Sequence, residues 1–365
     1  MSAMAGTSSR PTDEGPEVDL SEVDGLTYTC LDGCALCCLC QPELLPEEER
    51  AFRSDPSLSA GIAERHISSD VDGAAIRLQG AHGACHFLRQ RRCSIYPRRP
   101  HYCRAFPLSV FSGWRIQLNA NLSCRGIGLP GEDLAASGRA LLDGFGREGL
   151  ADELQASKEV FVEFSRNTRD AKVAQSVPSV RDAASALMED FADELGLSRI
   201  LTYAESGRTR QNSSAQDIAR RVRDTHPEAD VHELGVSVGT ELFDLPDLSY
   251  LPIYVGEDLG WRIFQLKGEE VVGYRLDEDG RTEESSRTDP SEVAMLPMTA
   301  AGRDALTTYL RLVNGRDCFV GHAAHLLDED GYSYNFAQAY MGALATTAVD
   351  LWWRASFLAH QAGAT

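Results

Sequence analysis

Cys30-Leu-Asp-Gly-Cys34-Ala-Leu-Cys37-Cys38-Leu-Cys40 places five thiols within eleven residues, and the reading of the chain works outward from them. Cysteines crowded on one short loop add little to a hydrophobic core; they make sense as soft thiolates converging on a metal. Cys85, Cys93, Cys103 and Cys124 follow, and after them only Cys318. Gly33 inside the run suits a tight loop that wraps its backbone around an ion. Four thiolates satisfy a tetrahedral zinc and four also hold a [4Fe–4S] cluster, so the nine cysteines before residue 125 are enough for two centres. Neighbouring residues aim their side chains differently. Cys37 and Cys38 are therefore expected to face different sites, or one of them to stand behind the ligands.

Composition sets the frame. The chain has 365 residues, enough for two domains, and 43% of them are hydrophobic, which is ordinary globular usage. A net charge of −20 argues against general nucleic-acid binding and against attraction to anionic membranes. Lysine is confined to Lys158, Lys172 and Lys267, so nearly all the basic charge is arginine. The first twenty residues lack the apolar run of a signal peptide. The most apolar stretch, 336–358, is interrupted by Asp350 and Arg354 and reads as a buried terminal helix, not a membrane span. A cytoplasmic location is the expectation, and in a reducing compartment this cysteine density means metal, not disulfides.

Residues 1–22 read as a disordered acidic tail, 23–128 as a cysteine-cluster domain and 129–365 as a mainly helical domain of unassigned role. Pro46-Glu-Glu-Glu49 is a helix start, with proline in the first turn and carboxylates at the positive end of the dipole. Short strands are expected at 75–78 and 85–88, and a hairpin at 106–119 turning at Ser112-Gly113. Further on, Ser179 opens a capping box, with Val180, Ala184, Leu187, Phe191 and Leu195 recurring at helical spacing. Ser214 opens a second helix, residues 261–266 and 271–276 read as strands turning at Lys267-Gly268, and 301–313 as an amphipathic helix. No P-loop, dinucleotide fingerprint or nucleophile elbow occurs, so the second domain is silent about chemistry.

The cysteine spacing resembles a known family. Cys30-x3-Cys34-x2-Cys37-Cys38, then Cys85-His-Phe-Leu, Cys93-Ser-Ile-Tyr-x-x-Arg99-Pro100-x-x-Cys103-Arg104-Ala-Phe-Pro and Cys124, is similar to the YkgJ-type cysteine-cluster proteins. That resemblance implies a zinc- or iron-chelating domain, often described as holding an Fe–S cluster. It implies as metal ligands Cys30, Cys34, Cys37, Cys38, Cys85, Cys93, Cys103 and Cys124. Cys40 and Cys318 lie outside the pattern. Flagellin lysine methylases also carry a cysteine-rich cluster, which offers an enzymatic precedent by analogy. Radical SAM enzymes share the Cys30-x3-Cys34-x2-Cys37 spacing. They favour an aromatic residue where this chain has Leu36, and they need a run of alternating strands and helices that is missing here.

His82, His86 and His101 lie among the later cysteines, and loop histidines at such positions are more often structural than ligating. His322 and His325 share a helix face without a third ligand and read as structural. From Ala74 to Gly131 there is no Asp or Glu but nine arginines. These offset thiolate charge, pair with the acidic second domain, or offer a fork to a carboxylate or phosphate. Arg99 and Arg104 flank Cys103 and are assigned to cofactor binding.

The sequence therefore predicts an α+β protein: a small metal-stabilised cysteine-rich domain followed by a larger mainly helical one. Its expected function is metal binding, with an iron–sulfur cluster in a redox or transferase role. One alternative is a structural zinc module supporting a partner-binding helical domain. The other is a SAM-dependent protein lysine methylase, with SAM as cofactor. The partner is an unidentified protein or small molecule; a membrane and general nucleic-acid binding are not expected.

Overall fold

The computed structural model describes residues 16–68, 71–79, 83–207, 213–277 and 281–363. The fold is mixed helix and strand, with a cysteine-rich N-terminal region and a mostly helical C-terminal one. Among the described residues no helix is long and apolar enough to cross a membrane.

The N-terminal region is a chain of small pieces. In order these are β1 (Val18–Asp19), β2 (Thr27–Tyr28), α1 (Pro46–Ser54), α2 (Pro56–Ser59), β3 (Ile62–Ser68), β4 (Val71–Ile76), β5 (Leu78–Gln79), β6 (Ala84–Cys85), β7 (Leu88–Arg89), β8 (Arg92–Cys93), α3 (His101–Ala105), β9 (Leu108–Ser112), β10 (Ile116–Ala120) and β11 (Glu132–Asp133). Strands β3–β4, β5–β6 and β7–β8 are antiparallel pairs, and β9–β10 is the expected hairpin. Helix α1 begins at Pro46, and the Glu48 carboxylate accepts from the Leu45 N–H at 3.2 Å, satisfying a donor at the helix start.

Two boundaries read from sequence move. Residues 1–15 of the expected tail lie outside the described residues, but 16–22 are built into the fold. Val18–Asp19 adds a parallel strand to β10, and the Glu22 carboxylate takes two hydrogen bonds from Arg316, at 2.9 and 2.6 Å. Strand pairing and a half-buried ion pair outweigh the polar composition there. At the far end, β11 pairs with β2, so the cysteine-rich region closes beyond residue 128.

The C-terminal region begins with α4 (Leu134–Asp170), interrupted at Gly146 by a positive φ of 71°. It continues through α5 (Val177–Ala186), α6 (Glu194–Glu205), α7 (Ala215–Asp224), α8 (Val231–Glu241), an antiparallel sheet of β12 (Tyr254–Val255), β13 (Trp261–Lys267), β14 (Glu270–Leu276) and β15 (Thr282–Thr288), then α9 (Ala300–Gly315), α10 (Asp317–Glu329) and α11 (Phe336–Gln361). Helix α11 is the buried terminal helix read from its apolar run, with Tyr340, Leu344 and Val349 fully inaccessible. The cap of α5 is Ser176, not Ser179, because Pro178 sits in its first turn and the Ser176 hydroxyl accepts from Ser179 N–H. Helix α5 ends at Ala186, and of the expected stripe Phe191 stays buried while Leu195 does not. Asp193 starts α6 by accepting from Gly196 N–H, and Leu195 in its first turn is 49% exposed.

The two regions share one core. Cys38, Cys85 and Ile95 pack in the same buried cluster as Trp261, Ile263, Val272 and Tyr274. On another face Asp317, 2% exposed, is bonded by Arg115 from the hairpin and Arg181 from α5, at 3.4 and 3.1 Å.

Candidate metal centre

The thiols gather where the small pieces meet. Loop 30–40, strand β6, hairpin β7–β8 and helix α3 contribute Cys30, Cys37, Cys38, Cys85, Cys93 and Cys103 to the wall of one cavity of about 440 Å³. An adjoining cleft of about 40 Å³ is lined by Cys30, Cys34, Cys37 and Cys124. All eight cysteines of the sequence-derived ligand set therefore line one space or the other, and Cys30 and Cys37 line both. Of the adjacent pair, Cys38 belongs to the larger cavity alone. All ten cysteines are free thiols. Among the described residues, no three of these donors already stand in ligating geometry around one point.

The loop owes its shape to two left-handed residues on either side of Cys34: Gly33 at φ 77° and Ala35 at φ 47°. Glycine takes the first at no steric cost, whereas alanine takes the second against its preference. A short 3₁₀ turn over Leu36–Cys38 then carries Cys37 and Cys38 inward.

Hydrogen bonding to Cys38 pulls the Cys37 thiol below its ordinary range and Cys93 down to about 6. Cys38 is pushed far up by the same bonds and by burial. Burial raises Cys85 to about 11, and it raises Cys103 further, with neighbouring thiols adding to the shift. Cys40, left outside the set by its position in the pattern, lines neither space; its S–H donates to the Cys37 carbonyl at 3.0 Å.

Most of the nine arginines are committed elsewhere. Arg92 pairs with Asp32, Arg98 with Asp55 at 2.7 Å, and Arg104 with Glu48 at 3.3 Å. Arg89, Arg91 and Arg125 donate to backbone carbonyls. Arg99 differs. Its Nε donates to the Tyr96 carbonyl at 3.0 Å and its guanidinium lies 3.6 Å from the Tyr96 ring centroid, with no carboxylate bonded to it among the described residues. It lines both thiol spaces, and its charge favours the thiolate at Cys30, Cys37 and Cys93. Arg104 stands back from both and donates to the Arg99 carbonyl at 2.8 Å, bracing its neighbour.

Among the described residues no histidine lines either thiol space. His86 and His101 make edge-on ring contacts with Phe87 and Phe145 and line neither space. His82 lies outside the described residues. His325 pairs with Glu329 at 3.3 Å on α10, and His322 lies beside Phe319.

With this geometry in view, the match to known proteins is specific to one stretch. Residues 29–125 match the CxxCxxCC family, described as a "putative zinc- or iron-chelating domain". This is the YkgJ-type cysteine cluster read from the spacing. Residues 126–365 lie outside the match. No curated protein and no solved structure matches the chain. The side chains of the CxxCxxCC segment suit a soft metal: the donors at the walls are thiols, and the one carboxylate at the larger cavity's wall among the described residues, Asp32, is paired with Arg92. Two side chains that fix the Cys34 loop were not legible in the cysteine motif. Trp261 donates its indole N–H to the Cys34 carbonyl at 2.9 Å, and Arg91 stacks on that indole. Nothing in the local sequence marks either, because the partners are far apart in the chain.

Proposed function

We propose that residues 30–124 hold an iron–sulfur cluster through Cys30, Cys34, Cys37, Cys38, Cys85, Cys93, Cys103 and Cys124, and that the protein serves a redox or transferase role. The observation that carries this reading is the gathering of all eight free thiols around two adjoining spaces. A bound cluster would supply one-electron chemistry or an open iron. The chain's own residues have narrower tasks. The thiols ligate after losing their protons, and Arg99 offsets the accumulated negative charge from a position shared by both spaces. Arg104 and Tyr96 hold Arg99 in place. A reducing, cytoplasmic setting would keep these thiols free to ligate.

A structural zinc module is the second reading. It is favoured by the shared core, in which the cysteine-rich region serves as packing surface for β13 and β14. The SAM-dependent methylase reading rests on analogy and gains no residue here. Metal analysis separates the first two. Protein purified without oxygen is expected to be brown, with broad visible absorption, and to contain iron and acid-labile sulfide. Stoichiometric zinc in a colourless sample would leave the structural module.

A further inference from the structure

The turn of hairpin β7–β8 is strained in an informative way. Gln90 and Arg91 have φ of 49° and 56°, where two-residue turns ordinarily place asparagine and glycine. Bulky residues stay in that region when their surroundings over-determine them, and such strain clusters at functional sites. The surroundings of Arg91 do this. Its Nε donates to the Gly33 carbonyl at 2.6 Å, a terminal amino group donates to the Leu259 carbonyl, and the guanidinium lies 3.9 Å from the Trp261 ring centroid. Trp261 is 1% exposed, so its N–H needs a partner, and that partner is the Cys34 carbonyl. The carbonyls of two consecutive loop residues, Gly33 and Cys34, are thus held by side chains from outside the loop. One of those side chains belongs to the hairpin that carries Cys93, and the other opens β13 of the C-terminal sheet.

From this we infer that Arg91 and Trp261 are positioning residues of the metal centre. They lock the Cys34 loop, the Cys93 hairpin and the C-terminal sheet into one register, so the sheet is a working part of the centre. The inference rests on the metal-binding reading above. It adds that a residue outside the chelating segment, Trp261, controls metal retention together with Arg91 inside it, and that metal binding in turn stabilises β12–β15, since such coupling is reciprocal.

The test uses the full chain reconstituted with Zn²⁺ under reducing conditions, with zinc release followed in excess EDTA. Trp261→Phe removes the donor and keeps an aromatic ring. Arg91→Lys keeps the charge and loses the planar fork. Both are expected to release zinc about 10–100-fold faster than the wild type, as for other groups that orient metal ligands, with helical circular dichroism unchanged. Trp352→Phe is the control: its N–H donates to Leu296, away from the thiols, and release is expected at the wild-type rate. A second arm needs no metal. In the metal-free full chain, amides of residues 31–39 should exchange faster in both variants. Wild-type release together with wild-type exchange overturns the inference, and Arg91→Lys decides it if Trp261→Phe does not fold. A wild type that retains no metal overturns the metal reading instead. The exchange arm then judges the clamp alone, faster exchange upholding it and unchanged exchange refuting it.

Discussion

The cysteine-rich region and the helical region are stabilised differently. The first is assembled from short strands of two to seven residues and short helices, and its largest core borrows Trp261, Ile263, Val272 and Tyr274 from the second. The second buries an extended apolar cluster along α5, α6, α9, α10 and α11, with Phe191, Leu310, Tyr340 and Leu344 fully inaccessible. Apolar area removed from water drives the helical region. The cysteine-rich region has less of it and gathers unpaired thiols, which in a small domain makes metal-binding energy part of the folding energy. The difference teaches where each region is vulnerable.

The largest expected effect is therefore metal loss. Chelation, or Cys34→Ala or Cys103→Ala, should strip amide protection from residues 84–124 and leave α9–α11 protected. Structural metals in small domains supply on the order of 10 kcal/mol. Hydrogen exchange read by mass spectrometry checks this. Equal loss in both regions would erase the contrast, and no loss would show that the cysteine-rich region stands on its apolar core alone. Acid should mimic chelation in part. Burial pushes the Cys85 thiol up to about 11, so ligation displaces a proton and metal affinity falls as pH is lowered.

The converse substitution is Leu344→Ala, at a fully buried position on α11. It should cost about 2–5 kcal/mol of helical-region stability in denaturant unfolding, while metal content stays at the wild-type level. A drop in bound metal would tie the terminal helix to the thiols more closely than the contacts suggest.

A smaller effect is expected from Arg99→Gln. The fold should persist, and metal retention should weaken about 10–100-fold. If the metal is iron, the reduction potential should fall, because a positive charge nearby favours the reduced form. Unchanged metal content and potential, with impaired binding of a small anion, would make the arginine segment a ligand site instead.

Legibility followed chain distance. The helix at Pro46, the hairpin near 106–119, the strands turning at Lys267-Gly268 and the terminal helix were visible because caps, turn residues and periodicity act over a few residues. Leu195 misled for the same reason: periodicity continued across Asp193, where a cap had already begun a new helix. The nine-arginine segment was read from charge alone. The structure distributes most of those arginines to Asp32, Glu48, Asp55, Asp317 and backbone carbonyls, and Arg99 is the one that lines both thiol spaces.

By itself the sequence determined the donor chemistry. Thiol spacing, the absence of Asp and Glu from 74–131 and the match over residues 29–125 are properties of one continuous stretch. Only the tertiary structure decided what surrounds those donors. The indole of Trp261 reaches the Cys34 carbonyl across 227 residues, and the Arg316 guanidinium reaches Glu22 across 294. The physical reason is that buried donors and charges must find partners wherever folding brings them together, and no local pattern records that requirement.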